Sequence, residues 1–511
     1  MARLHPSHLA ARVATWPRFV RGLVPSGLGA VAALGHEDWG SSFLAVMIAF
    51  VLAFLIVPTA RSSAAWFGWL LGLGYFAITL RWLVEPFLVD PVRHGWMAPF
   101  AICIMASGLA LFWAFAFWIA RWIAEGRASV MLWLPLTLAV AELARGHVLS
   151  GFPWGMVSYT LIGGVGDIWF AVIGPYGTTF GLLGVFGVTA YCLQRGWTLI
   201  WPALVGVMFA TLGVGMMTAS PINNSDTIVR VIQPNAPQHQ KWDRDWTSVF
   251  FDRALQQTAA GDPPDVVIWP ETSVPSQLNY AQPYLEQMSD AARGAPVVAG
   301  IQREEAGAYF NAAILLEGPE IVTDIVDKSH LVPFGEYIPL AWLLEPFGLG
   351  TIVDQVAGFT SGSGRGIMHV SGLGRVRVLI CYEGIFPEDM QRDDVRPDVL
   401  LIITNDAWFG TGAGPRQHLM QAQARAIEQG LPVIRSANTG ISAVIDPQGK
   451  VIASLALNAA GYLDSPVPVP LSPTLYARMG DWPLFTLLLL GLLGGAATRH
   501  RNKIDGDVPR G

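Results

Sequence analysis

The stretch Val376-Arg377-Val378-Leu379-Ile380-Cys381-Tyr382-Glu383-Gly384 decides how this chain is read. Its first five residues are rich in β-branched and aliphatic types, which predicts a buried strand, and the run ends on a thiol. Upstream, Val266-Val267-Ile268-Trp269-Pro270-Glu271 ends a second apolar run on a carboxylate. Between them, Asp327-Lys328-Ser329-His330-Leu331-Val332-Pro333-Phe334-Gly335-Glu336 offers an amine. Base, cation and nucleophile near three strand ends suit acyl chemistry.

Each of these residues has a bland reading. Glu271 alone reads as a surface glutamate after a strand, and Lys328 alone as a solvated lysine. Cys381 alone is a buried structural cysteine. The surrounding segments and their order favour chemistry. Cys381 is the only cysteine of three in a polar region, so no disulfide partner is at hand there. Cys103 and Cys192 lie in apolar stretches and are expected to be packing residues.

Of 511 residues, 52% are hydrophobic and 14% charged, with 20 Trp. Soluble domains carry about 25% charged residues, so the deficit predicts a polytopic membrane protein. The net charge of −6 names no partner, and no basic run interleaved with aromatics points to nucleic acid. A bilayer crossing takes about 20 apolar residues. Seven candidate spans precede the polar region, at 19–37, 40–59, 63–83, 97–120, 128–147, 168–192 and 197–218, and an eighth lies at 482–497. The first, broken by Pro25, has a cleaved signal peptide as its alternative, but no small-residue cleavage site stands out.

Charge sets the expected orientation. Arg3, Arg12, Arg18 and Arg21 gather around the start of the first span. Arg61, then Arg121 and Arg127, then Arg195, and finally Arg499, Arg501 and Lys503 fall on the same side. The alternate loops carry fewer basic residues. Both termini are therefore expected in the cytoplasm of a bacterium, with the polar region in the periplasm. The expected domains are a membrane bundle over 1–219, a catalytic domain over 220–475, and an eighth helix with a short tail over 476–511.

Within the polar region, apolar runs recur at 227–233, 265–269, 296–301, 312–316, 376–380, 399–404, 433–436 and 442–445, with helical stretches at 246–259 and 417–429. Continuous apolarity suits strands buried on both faces. Gly410-Thr411-Gly412-Ala413-Gly414 lacks a following Gly-Lys and reads as a turn, not a phosphate loop. His330, His369 and His418 have no metal-ligand spacing, so no metal is expected. Glu142 and Arg145 lie in a span, where charges are costly; they read either as a structural ion pair or as a lipid-headgroup contact.

Taken together, Trp269-Pro270-Glu271, Lys328 with Leu331 to Glu336, Cys381-Tyr382-Glu383 and Asn405-Asp406-Ala407-Trp408-Phe409-Gly410 resemble the apolipoprotein N-acyltransferase family, a membrane branch of the nitrilase superfamily. Val231 to Asn235 with Lys241-Trp242, Gln417-His418, Arg425 to Glu428, Arg435 to Gly440, Glu142 to Arg145 and Gly151 to Trp154 extend the resemblance over nearly the whole chain. Pro234-Asn235 departs from an expected Gly-Asn. The resemblance implies a bundle of about eight membrane helices carrying an α/β nitrilase-like α-β-β-α sandwich. It implies a ping-pong acyl transfer from a membrane phospholipid to the α-amino group of a diacylglyceryl-cysteine on an apolipoprotein.

In that reading Cys381 is the nucleophile, Glu271 the general base and Lys328 an oxyanion stabiliser, joined by the Tyr382 N–H. Glu336, Tyr382, Glu383, Trp242 and Asn405 support or line the site. Ester to thioester to amide needs no nucleotide, so no cofactor is expected, and the enzyme is expected to be monomeric. The apolar segment Leu340 to Val353, with Trp342 and Phe347, is either a core helix or a flap that dips into lipid above the thiol. A membrane-anchored amidase using the same three residues is the alternative function. A receptor or transporter with a degenerate domain would not need all three residues intact.

Overall fold

The computed structural model describes residues 13, 15–36, 42–164, 166–197, 221–318, 321–339, 358–364, 366–391 and 395–507. The expected span at 197–218 and the flap with Trp342 and Phe347 lie outside the described residues. The chain divides into two compact units, one of Met1–Ala219 with Arg478–Gly511, the other of Ser220–Ala477.

The first unit is helical. Its long helices are α1 (Arg18–Ala33), α2 (Ser42–Leu55), α3 (Arg61–Thr79), α4 (Ala98–Ile123), α5 (Arg127–His147), α6 (Trp169–Arg195) and the C-terminal α10 (Trp482–Asp507). Among the described residues four helices are long and apolar enough to cross a membrane, or five if α3 and the 3-10 helix Arg81–Leu88, bent by 48°, form one span. The helices at the first two expected spans are shorter. α1 has 16 residues and α2 has 14, about 24 and 21 Å against a hydrocarbon core of about 30 Å. Cys192 is buried as expected, whereas Cys103 is exposed on α4.

Glu142 and Arg145 are each 1% exposed. Arg145 Nη2 donates to Glu142 Oε2 at 2.5 Å, and Trp113 Nε1 to Glu142 Oε1 at 2.7 Å. Arg145 Nη1 donates to the carbonyls of Phe152 and of Trp154, the latter at 2.8 Å. The pair is thus structural. One turn of α5 presents both charges to each other, and the spare guanidinium donors fix the loop that follows the helix.

The second unit is a two-sheet sandwich. Strands β1 (Asn224–Gln233), β2 (Val266–Ile268), β3 (Val297–Glu305), β4 (Ala308–Leu316), β5 (Val322–Asp327) and β12 (Gly461–Pro468) form one sheet in the order β12-β1-β2-β3-β4-β5. Strands β6 (Ile367–Val370), β7 (Gly374–Ile380), β8 (Val399–Thr404), β9 (Val433–Ala437), β10 (Ala443–Ile445) and β11 (Val451–Ser454) form the other in the order β11-β10-β9-β8-β7-β6. The central strands β1-β2-β3 and β7-β8-β9 pair in parallel, and their outer neighbours pair antiparallel.

Period-2 alternation sorts the side chains into layers. Val266 and Ile268 of β2 meet Val376, Val378 and Ile380 of β7 and Val399, Leu401 and Ile403 of β8 between the sheets. Val267 faces outward with Phe251 and Ala254 of α7 (Thr247–Ala259) and Leu285 and Met288 of α8 (Gln282–Ala292). Leu379, Leu400 and Ile402 face the other way, against Ala422 and Ala426 of α9 (Ala413–Gln429). The result is the expected α-β-β-α sandwich.

Candidate active site

The candidate residues follow strand ends. Glu271 lies three residues beyond β2, Lys328 directly after β5, Cys381 directly after β7 and Asn405 directly after β8. All four are buried, at 5, 1, 7 and 4% exposure. Four separate segments therefore bring their polar side chains to one dry place.

Both oxygens of Glu271 are held. Oε1 accepts Asn311 Nδ2 at 2.7 Å and lies 3.7 Å from Lys328 Nζ. Oε2 accepts the Asn405 backbone N–H at 2.8 Å. Lys328 Nζ also reaches Glu336 Oε1 at 2.8 Å, and Glu336 Oε2 accepts the Val332 N–H at 2.7 Å. Burial by itself would pull the Lys328 ammonium down; Glu336 and Glu271 overcome it and hold the group well above the ordinary lysine range. Lys328 is therefore a fixed positive charge at neutral pH.

Cys381 has φ +54°, a left-handed conformation that non-glycine residues seldom adopt and that is often stored at functional sites. Burial first, then the Glu271 carboxylate, pushes its thiol up. The Lys328 ammonium and a hydrogen bond with Thr404 pull the other way without prevailing. The resting group is a neutral thiol beside a candidate base and a fixed cation. A thiolate forms there only if its proton leaves with the attack.

Glu383 is a brace. Its Oε1 accepts the Ser329 N–H at 2.7 Å, the Ser329 hydroxyl at 2.8 Å and the His330 N–H at 3.1 Å, while Oε2 accepts the Ile380 N–H at 2.8 Å. It ties the loop after Lys328 to the strand end before Cys381. Tyr382 is 8% exposed; its ring meets His330 and Phe386 edge-on, and burial raises its phenol well above the usual value. Asn405 accepts from Asn438 Nδ2 at 2.8 Å and donates to Gln238 Oε1 at 2.8 Å. Trp242 is half exposed and lines a small cleft with Lys241, Phe250, Thr272 and Ser273.

Sequence reasoning missed three groups here. Asn311 is a lone polar residue in the apolar strand β4, a signal that was available. Lys241 is 7% exposed and bonded beside Glu271. Asp406 is wholly buried and accepts from Arg435 Nη2 at 2.6 Å and from Thr404 Oγ1 at 2.9 Å, with His418 Nδ1 at 2.9 Å. Burial would raise this carboxyl, but Arg435 and His418 hold it below the usual range. It sits behind Thr404, which in turn bonds Cys381.

Removing the cation should be costly. Lys328→Ala would leave Glu271 and Glu336 buried side by side without their shared ammonium. A loss of about 10²–10³ in single-turnover rate is expected, the scale of one oxyanion donor. A variant as fast as wild type would make Lys328 a bystander.

The sandwich of two sheets between helices is the domain of the carbon-nitrogen hydrolase class. The carbon-nitrogen hydrolase family model matches residues 228–471, and the apolipoprotein N-acyltransferase N-terminal domain model matches residues 28–188. An apolipoprotein N-acyltransferase of Brucella suis biovar 1 (strain 1330) is 35% identical over 96% of this chain and 97% of its own length. Those of Rhodopseudomonas palustris and Caulobacter vibrioides are 34 and 36% identical, covering 94 and 92% of this chain and 94 and 93% of theirs. The chain belongs to the apolipoprotein N-acyltransferase family. It is an acyltransferase built on a nitrilase-type domain, and its apolar helices make it a membrane protein; the amidase alternative is not favoured.

Proposed function

We propose that the enzyme moves a fatty acyl chain from a membrane phospholipid to the α-amino group of the N-terminal diacylglyceryl-cysteine of an apolipoprotein, through a thioester on Cys381. The observation that carries this is the buried thiol at φ +54°, under the opposing charges of Glu271 and Lys328. In the first half-reaction the Cys381 sulfur attacks the ester carbonyl while Glu271 takes the thiol proton. The oxyanion is met by Lys328 and the Tyr382 N–H. Collapse expels the lysophospholipid alcohol, which takes the proton from Glu271. In the second half-reaction the acceptor amine attacks the thioester.

An α-amino group has a pKa of about 8, so it arrives largely protonated and needs Glu271 again. The amide forms, the thiol recovers one of the amine's protons, and Glu271 releases the other to water. Ester, thioester and amide lie in downhill order, so no nucleotide enters. Asn311 and the Asn405 N–H keep the carboxylate aimed in both steps. Glu336 and Glu383 hold the cation and its loop, and Trp242 borders the way in.

Incubating the membrane-extracted enzyme with phospholipid and no acceptor should add one acyl mass to the peptide bearing Cys381, released by neutral hydroxylamine. An enzyme that turns over without that adduct would end the thioester proposal.

The proposed arrangement is seven helices over 1–219, a periplasmic domain over 220–475 and an eighth helix within 476–511, in the inner membrane, as a monomer. Trp342 and Phe347 are proposed to guide acyl chains toward the thiol. A reporter fused near residue 225 should read as periplasmic and one after residue 503 as cytoplasmic. A cytoplasmic signal at 225 would mean an even number of crossings before it.

A further inference from the structure

Lys241 is a buried cation that the acyl chemistry above does not use. Its Nζ donates to the Glu271 carbonyl at 3.1 Å and to Thr272 Oγ1 at 2.9 Å. These two acceptors bracket the peptide that follows the base. Thr272 has φ +45°, a conformation that β-branched residues adopt only under constraint.

The constraint comes from two sides. On one, the Gly300 N–H donates to the Pro270 carbonyl at 3.2 Å, and the Ser273 N–H donates back to the Gly300 carbonyl at 2.9 Å. A Cβ at Gly300 would lie 2.5 Å from Glu271 Cα and from Thr272 N, so the turn rests on bare backbone. On the other side stands the Lys241 ammonium. Its own loop is anchored: the Lys241 N–H donates to the Pro237 carbonyl at 2.9 Å, and its carbonyl accepts Thr247 Oγ1 at 3.1 Å.

A lysine kept in so dry a place is not neutral filler. Burial draws its ammonium down to about 8, while Glu271 and Cys381 pull it back up. It stays largely charged at neutral pH, within the field of the two groups that exchange the proton.

We infer that Lys241 is a positioning residue for the general base: by holding the Glu271 carbonyl and the Thr272 hydroxyl, it fixes the strained turn that aims the Glu271 carboxylate at the Cys381 proton. The inference rests on Glu271 being the base of the proposed reaction. A merely structural lysine would lower stability without singling out kcat. A substrate-binding lysine would act on KM.

The test compares Lys241→Met, Lys241→Arg, Thr272→Val and the Lys241→Met/Thr272→Val double variant. Each is assayed with mixed phosphatidylethanolamine and phosphatidylglycerol vesicles and a diacylglyceryl-cysteine peptide. Thr272→Val keeps the β-branch and removes only the hydroxyl; it should lower kcat about tenfold, the weight of one hydrogen bond to a charged group. Lys241→Met should lower kcat about a hundredfold, as misplacement of a catalytic group does, with KM for phospholipid unchanged. The double variant should match Lys241→Met, because the hydroxyl then has no bond left to lose. Lys241→Arg, which still offers two donors, should recover at least about tenfold over Lys241→Met.

Wild-type kcat in Lys241→Met or Thr272→Val, a change confined to KM, or losses that multiply in the double variant would each overturn the inference. If Lys241→Met does not fold, Thr272→Val carries the decision. A wild-type enzyme that forms no acyl adduct would remove the acyl-enzyme proposal and this inference with it, whereas a normal adduct beside a silent Lys241→Met would remove this inference alone.

Discussion

Cys381→Ser is expected to lose acyl transfer by at least about 10⁴-fold, the scale on which removing the nucleophile acts in acyl-transfer enzymes. The reason lies in how the thiol is held. Burial and Glu271 already keep it protonated at rest, so attack depends on passing the proton to a carboxylate as the S–C bond forms. An alcohol is far less acidic than a thiol and gives up its proton to a carboxylate much less readily. Serine is nearly isosteric, so the φ of +54° and the brace from Glu383 to Ile380 should survive. The acyl adduct should vanish from mass spectra while the thermal midpoint moves by only a few degrees. Transfer above about a tenth of the wild-type rate would mean that another group carries the acyl chain.

The site was more legible in the sequence than the fold around it. Glu271 and Cys381 come just after apolar strands, so a short pattern marks both the element and its chemistry, whereas Lys328 follows the alternating strand β5 and was legible only through the Leu331 to Glu336 segment beside it. Asn405 was legible only through the resemblance carried by Asn405 to Gly410, although it also follows the fully buried β8. Lys241 entered only as part of the resemblance, beside Trp242, and had no role in the site because its contact with Thr272 is distant in sequence. The Asp406, His418 and Arg435 cluster draws on the 3-10 helix Asp406–Phe409, α9 and β9 and has no local spacing.

The strands that escaped notice share a cause. β5, β11 and the first half of β12 alternate between exposed and half-buried residues, and β6 between buried and more open ones; all four sit at sheet edges, where one face meets water and continuous apolarity is not needed. α8 was missed because Leu285, Met288 and Ala292 are its only buried contacts in a polar sequence. In the helical unit, α1 and α2 read as spans from apolarity alone.

Glu271→Gln should stop both half-reactions, and this separates a base from a residue that only shapes the site. The amide keeps the volume but replaces one acceptor with a donor. Oε1 now faces Asn311 Nδ2, and Oε2 faces the Asn405 N–H. Either orientation of the amide therefore sets a donor against a donor, at a cost of about 1–3 kcal/mol for the unmet buried groups. Lys328 keeps Glu336 at 2.8 Å, so the cation stays in place and the oxyanion contacts persist. What disappears is the proton acceptor, worth about 10²–10⁴ in rate. Thioester formation from phospholipid should fall by that factor. The second half-reaction can be read alone by loading Cys381 with an activated acyl thioester, which leaves with its own good leaving group, and then adding the diacylglyceryl-cysteine peptide. Aminolysis should also fall by at least about 10², and raising the pH toward 9 should recover part of it, because the acceptor amine then arrives deprotonated. Normal aminolysis at pH 7 in the loaded variant would restrict Glu271 to the first step and leave the amine's proton to another group.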